Sequence, residues 1–255
     1  MKKSFSSLIM AGLILFAACS PKPDTSENSS TEGDIHILTN ESESIPDNEN
    51  TSTESAIIQL PPPILYGEMS LEQTLYERRS HRNFAETTLT KEQLSQLLWA
   101  AYGISEQTQN LRTAPSAGAL YPLEIYSIIG EVSGISAGVY RYNPLEHQLI
   151  KVVSGDVRSE LRSSTFGNQQ MVEIAPLTIF YTTVFERSTA RYGERGIMYT
   201  HMEVGHSAQN VYLQATALGL GTCAIGAFHE DIVSELLQLS ENETPLYLLP
   251  VGNLE

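Results

Sequence analysis

The chain predicts an α+β fold with a mixed sheet, and three features of the sequence carry that reading. Ser70 with Gln73, and Thr90 with Gln93, have capping-box spacing and open two helices. Runs at 124–129, 138–142, 148–153 and 177–184 are rich in Ile, Val, Tyr and Thr and are bounded by turn residues such as Asn143-Pro144, the pattern of strands. Between 201 and 219 the apolar positions Val204, Ala208, Val211, Ala215 and Leu218 step by four and three, the period of a long helix with a narrow seam of small residues.

From the N-terminus, Met1-Lys2-Lys3, an apolar run from Leu8 to Ala18 and small residues before Cys19 have the three-part build of an export signal. The run is shorter than the roughly 20 apolar residues that span a bilayer. Phe16-Ala17-Ala18-Cys19 resembles a bacterial lipobox. The expectation is a lipoprotein signal peptide over 1–19 that ends at a lipidated Cys19. Several acyl chains on that residue would anchor the protein to a membrane of the cell envelope, outside the cytoplasm. Residues 20–60 hold few large apolar side chains and nine of the thirty acids, with Lys22 as their single basic residue. Such a segment cannot offset its ordering entropy, so it predicts a disordered acidic Ser/Thr/Asn-rich tether with a reach of roughly 35 Å. The net charge of −15 argues against a nucleic-acid partner, which requires a basic stripe.

Residues 61–255 are long enough for one domain with a substantial core. The helix opened by Thr90 places Leu94, Leu97, Leu98 and Ala101 on one face and stops at Gly103. A helix over 231–238 and a closing strand over 246–251 complete the pattern. Gly219-x-Gly221 followed by Gly226 is not a dinucleotide fingerprint, because that motif runs strand, glycines, helix and this order is helix, glycines, strand. His201 and His206 are five apart and so on different helix faces, which argues against a metal site. Cys223, among Thr, Ala and Ile, reads as a buried small hydrophobe. Ser116 lacks the surroundings of a hydrolase elbow.

The chemistry gathers at Arg78-Arg79-Ser80-His81-Arg82-Asn83-Phe84, where three guanidiniums and a hydroxyl fall within five residues of an acidic chain. Arginine forks bind phosphate oxygens bidentately, so the stretch is a plausible phosphate clamp. Further on come Arg112-Thr-Ala-Pro-Ser116-Ala-Gly-Ala-Leu-Tyr121-Pro122, the segment from Gly205 through Gln209-Asn210, Gly219-Leu-Gly221 and Ile225-Gly226-Ala-Phe228. Taken together and in this order, these blocks resemble the flavin-dependent nitroreductase superfamily, in particular its SagB-type dehydrogenases, which form thiazole and oxazole rings. The resemblance covers residues 65 to 252.

That resemblance implies a mainly antiparallel sheet flanked by helices, and a homodimer with flavin mononucleotide (FMN) at the subunit interface. Arg78, Ser80 and Arg82 would take the phosphate and Arg79 the ribityl or ring edge. Pro115, Ser116 and Ala117 would arrive from the other subunit. Ala224, Ile225, Gly226 and Ala227 would pass the reactive ring nitrogen, and Gln209 and Asn210 would reach the cofactor or the dimer seam. The implied activity is hydride transfer between flavin and a small organic or peptide substrate. Two alternatives stay open: an NAD(P)H-dependent nitro or quinone reductase, and a non-catalytic flavin- or peptide-binding surface lipoprotein. SagB-type enzymes are similar in having a Lys-Tyr pair where this chain reads Arg191-Tyr192. A guanidinium cannot act as the base that removes a proton, so Tyr192 and Arg191 are expected to serve as proton donor and anion holder. Two further expectations follow from the termini. The chain stops soon after its closing strand, which predicts weaker hold on the phosphate, and export by this route predicts that flavin is acquired outside the cytoplasm.

Overall fold

A computed structural model describes residues 57–255 of the chain. The expected signal peptide, its lipidated Cys19 and the tether as far as residue 56 lie outside the described residues. Folded backbone begins ahead of the boundary read from composition. Ile57–Gln59 forms an edge strand, β1, and Leu60 is buried. Pro61 looked like the start of the domain, but Ile57, Ile58 and Leu60 just before it supply enough apolar surface to pair with a sheet.

In chain order β1 is followed by α1 (Leu71–Glu77), α2 (Lys91–Tyr102) and a ribbon of β2 (Ile104–Glu106) and β3 (Leu111–Arg112). Next come β4 (Leu123–Ile129), β5 (Gly138–Asn143), β6 (Gln148–Ser154), α3 (Arg158–Ser164), α4 (Met171–Ile174) and β7 (Leu177–Thr183). The remainder is α5 (Glu186–Tyr192), α6 (Arg195–Ala217), β8 (Leu220–Thr222), α7 (Glu230–Leu236) and β9 (Thr244–Asn253). Seven strands form one sheet in the order β1-β6-β5-β4-β7-β9-β8, and every neighbouring pair in it is antiparallel. The parallel component is an isolated bridge, Leu89 to Val132.

The central strands alternate between two cores because both sheet faces are covered. Ile125, Ile179 and Leu249 pack with Leu94, Leu97 and Leu98 of α2 and with Val204, Ala208 and Val211 of α6. On the opposite face Tyr126, Phe180 and Leu248 lie side by side across three strands, under Leu161 of α3, Val172 of α4 and Val233 of α7. Truncating the fully buried Leu94, Leu97, Leu98, Ile179 or Leu249 to Ala should cost about 2–5 kcal/mol.

Thr90 and Gln93 make the full reciprocal box, whereas Gln73 donates its N–H to Ser70 but turns its side chain to Glu77. The long helix starts at Arg195, well before the apolar seam begins. Its first turns pack through small groups instead: a Cβ on Gly196 would come within 2.8 Å of the Ser188 backbone, and Thr200 is buried.

Candidate functional site

Arg78 caps the C-terminus of α1, donating its N–H to the Thr74 carbonyl, and the chain then runs out in extended form. His81 N–H donates to Thr222 O at 2.9 Å, and a Cβ on Gly221 would meet His81 Cβ at 2.8 Å. The clamp is thus pressed onto β8. The Arg78 guanidinium lies 5.3 Å from the ring centre of Tyr212, and the Tyr212 hydroxyl accepts from Ala224 N–H at 2.7 Å while standing 3.1 Å from Ser80 Oγ. With Tyr212 donating to Ser80, the Ser80 hydrogen is left for an outside acceptor. Among the described residues Arg78, Arg79 and Arg82 form no salt bridge. Arg79 instead folds back onto the carbonyls of Tyr76 and Arg78.

Ile225 is buried and exchanges both backbone hydrogen bonds with Leu248. That pairing turns the exposed Gly226 outward, and among the described residues its N–H has no backbone partner. Among the described residues a Cβ on Gly226 would meet only the Tyr247 ring, at 3.8 Å, so none of these neighbours demands glycine there. Gly205, in the middle of α6, is likewise exposed with nothing within 4 Å of its Cβ position, although a helix-interior Gly costs about 1 kcal/mol relative to Ala. A cavity of about 320 Å³ beside Gly205 is lined by His201, Gly205, Glu230 and Tyr247 among others. Clamp, segment 224–227 and two bare glycines therefore lie on one flank of α6, an arrangement suited to an anion with a flat ring attached.

The second set of sequence-predicted residues lies on the other flank. Ser116 Oγ accepts from Tyr121 N–H at 2.9 Å, and the turn between them holds Gly118, Ala119 and Tyr121 at φ of +63°, +54° and +48°. A Cβ on Gly118 would sit 2.5 Å from Tyr192 Oη and 3.0 Å from Arg191 Nη1. Tyr192 packs edge-on against Tyr199, with ring centres 5.2 Å apart. Pro115, Ser116 and Ala117 thus share one chain's surface with Arg191 and Tyr192. Beneath the turn, Tyr102 donates to the buried Glu203 carboxylate, and the Arg112 guanidinium is sandwiched at 4.2 and 4.6 Å from the rings of Tyr102 and Tyr121. Asn210 reaches the Thr113 carbonyl at 3.2 Å, so its amide serves this loop, while Gln209 is exposed on the outer face. The Ser116 hydroxyl and carbonyl are both engaged within the chain, by Tyr121 N–H and Ala119 N–H.

Tyr212 and Glu203 are nine positions apart, about 900° of helical turn, and so project from opposite sides of α6. The clamp and the Arg191-Tyr192 pair are therefore not brought together within one chain. Sequence reasoning missed Tyr212, Glu203, Tyr102 and the role of Arg112. A signal existed for one of them: Tyr212 is a bulky side chain beside a seam of small residues.

A seven-stranded antiparallel sheet covered on both faces, with chemistry on each flank of one long helix, is the nitroreductase class of α+β fold. The model of the nitroreductase family matches residues 75–253, and the chain belongs to that family of oxidoreductases. It is 45% identical over 185 residues to a provisionally named nitroreductase of Methanocaldococcus jannaschii, covering 72% of this chain and 91% of that one. The microcin B17-processing protein of Escherichia coli is 28% identical over 152 residues, 58% of this chain and 56% of its own length. The crystal structure of a provisionally named nitroreductase from Ralstonia eutropha superposes with a TM-score of 0.69 at 30% identity, over 78% of this chain and 90% of that one.

Proposed function

We propose that the protein is an FMN-dependent oxidoreductase of the SagB-type branch that passes a hydride between flavin and a small organic or peptide substrate, working as a homodimer. The observation that carries this is the separation of the two residue sets by α6. Each chain offers a clamp with no Arg-Tyr pair beside it, and a pair with no clamp beside it. A two-fold pairing along the outer face of α6 would bring each to the other. That face supports pairing: Ile197, Met198 and Met202 of α6 are exposed, as are Leu71 and Leu75 of α1, an apolar surface that a lone subunit would leave in water.

The residues present fit FMN. Arg78, Ser80 and Arg82 supply charged and neutral donors for the phosphate, with Arg79 alongside. Ala224, Ile225, Gly226 and Ala227 supply a segment fixed by the Ile225–Leu248 bridge, with an uncommitted N–H at the bare Gly226, and Pro115, Ser116 and Ala117 supply backbone from the second subunit. When bound, the flavin supplies hydride chemistry. The chain's own residues do the remainder: Tyr212 ties the clamp to Ala224, Tyr192 holds a proton at Oη for the substrate, and Arg191 holds negative charge on it. With Arg191 where the branch has Lys, the chain lacks a base beside Tyr192, which favours reduction of an acceptor such as a quinone or nitro compound over oxidation of an azoline. Residues 1–60 support a lipid anchor at Cys19 and a tethered position outside the cytoplasm.

The test is purification of the protein followed by absorption between about 350 and 500 nm, with sedimentation of the same sample. A dimer with one bound flavin per chain that is reoxidised by a quinone is expected. A monomer that still holds flavin would defeat the shared site, and bound flavin that no donor or acceptor turns over would favour a binding protein.

A further inference from the structure

In the turn of the β5–β6 hairpin, His147 is bonded at both ring nitrogens, and among the described residues no other histidine is. Nδ1 stands 2.8 Å from the hydroxyl of Tyr142 on β5, while Nε2 stands 2.9 Å from the Pro61 carbonyl and 2.7 Å from Ser95 Oγ on α2. Ser95 in turn donates to the same carbonyl at 2.5 Å. These contacts fix the tautomer. A carbonyl oxygen can only accept, so the nitrogen facing Pro61 carries a hydrogen, and the neutral ring then accepts at Nδ1 from the Tyr142 hydroxyl. The same residue also holds the chain by its backbone: the His147 carbonyl accepts from Leu60 N–H at 3.2 Å and from the Gln59 amide at 3.2 Å. Residues 57–61 are thus tied to one turn. The next fastener along the chain is Gln96, whose side chain accepts from Ile64 N–H at 2.8 Å and donates to the Ile64 carbonyl at 3.1 Å.

We propose that His147 is an acid-released latch: neutral, it closes the segment 57–63 onto the sheet edge and α2, and protonated, it lets that segment open as far as the Gln96 clamp. A protonated ring presents an N–H at Nδ1 to a hydroxyl that was donating to it. Tyr142 is 2% exposed, and among the described residues its hydroxyl has no other partner, so turning its hydrogen away strands a buried donor. Nothing packed on the ring compensates the new charge. Tyr142 from β5, Ser95 from α2 and Pro61 are neutral, and β1 brings only Ile57, Ile58 and Gln59. The charges one turn before Ser95 on α2 are Lys91 and Glu92, opposite in sign, and Glu146 beside His147 in the turn is exposed. The charge that acts on Tyr142 is the Arg112 guanidinium, of the same sign as an imidazolium.

Burial accordingly pushes the imidazole below the ordinary histidine range, and the Pro61 contact opposes this only in part. With the segment open, the ring returns to water and to an ordinary value of about 6.5. The open state therefore binds the proton more tightly. The hold is complete above about pH 6.5 and is lost as pH falls from there through the folded value. Opening would free residues 57–63, about 23 Å of extended chain, ahead of the Gln96 clamp. On the reading that the protein is anchored at its N-terminus, acid would let the domain stand further from the membrane. The latch itself does not depend on that reading.

The experiment follows amide hydrogen exchange of the full-length protein at about pH 7.5 and about pH 5, normalised to intrinsic rates, in wild type, His147→Gln and Gln96→Ala. In wild type the Leu60 amide should lose protection on the order of tenfold at the lower pH, while amides of β4 and β7 keep theirs. His147→Gln has no ring to titrate, so its Leu60 protection should be the same at both. Gln96→Ala should loosen Ile64 equally at both and leave the Leu60 difference intact, which separates the two fasteners. Equal protection of Leu60 at the two pH values in wild type, or the same fall in His147→Gln, overturns the proposal. If the Gln variant does not fold, an NMR titration of the His147 ring in wild type decides: a midpoint below about 6.5 supports the latch, and one at or above it overturns the latch. A protein that binds no flavin would defeat the proposed function and leave each of these outcomes readable.

Discussion

Replacing Gly118 by Ala tests the active-site reading with a single methyl group. The new Cβ would lie 2.5 Å from Tyr192 Oη and 3.0 Å from Arg191 Nη1, and contacts below 3.0 Å are essentially never seen. Tyr192 must therefore retreat by about 0.5 Å or more, and a misplacement on the order of 1 Å at a reacting group can cost about a hundredfold in rate. A loss on the order of tenfold is the expected result for reoxidation by a quinone. The backbone adds its own penalty, since a left-handed φ costs a residue with a Cβ about 1–2 kcal/mol. In a domain of this size that lowers the melting temperature by about 2–8 °C. Gly134→Ala separates the two effects, because Gly134 has a φ of +75° but nothing within 4 Å of its Cβ position. It should match the stability loss and keep the rate. Flavin content, melting temperature and rapid-mixing reoxidation are measured in all three proteins. If Gly118→Ala loses stability like Gly134→Ala and still reoxidises at the wild-type rate, Tyr192 is not the proton donor.

Three more expectations concern the clamp and the pair. Tyr212→Phe strands the Ala224 N–H and frees Ser80, and an unsatisfied amide costs about 1–3 kcal/mol, so flavin titration should show binding weakened about 10- to 100-fold. Arg78→Ala with Arg82→Ala should weaken it about a hundredfold or more while circular dichroism stays native; unchanged flavin content would move the phosphate site elsewhere. Arg191→Lys should gain azoline oxidation more than quinone reduction, because an amine can shed and take a proton where a guanidinium cannot. Wild type reducing its flavin with a model azoline as fast as the Lys variant would remove this pair from the proton chemistry.

Much of the scaffold was legible because it obeys local rules. The Leu94, Leu97, Leu98 and Ala101 stripe predicts a core helix and all four are fully buried. The 177–184 run predicts a strand and its residues are buried on both faces. What escaped was structure held by groups that carry no periodic apolar signal. α5 reads Glu-Arg-Ser-Thr-Ala-Arg-Tyr and docks through Ser188 against Gly196, an approach of backbones rather than of apolar side chains. The short β1, α3 and α4 are likewise too brief for a period to show. At the site, the motif residues were legible as types but their grouping was not, since nothing in a linear pattern says that Ser116 and Ser80 fall on opposite flanks of one helix.

Those flanks explain where the chain departs from its own local logic. Gly205 weakens the interior of α6, and Glu203 brings a carboxyl into the interior. Ala119 and Tyr121 take up backbone conformations that side chains with a Cβ avoid. Elsewhere, left-handed positions fall largely on Gly and Asn, which tolerate them: Gly134, Gly155, Gly167, Asn110 and Asn168. Among the described residues no contact compensates the cost at Gly205, and none of these departures improves packing. Each does, however, leave room or fix direction at a surface of α6: bare backbone on the Tyr212 side, and a pinned, upward-turned loop on the Glu203 side. A helix selected for stability alone would carry Ala at 205 and an apolar residue at 203. The two concessions fall on opposite sides of the helix, two residues apart, an arrangement consistent with the proposed site shared between two copies of α6.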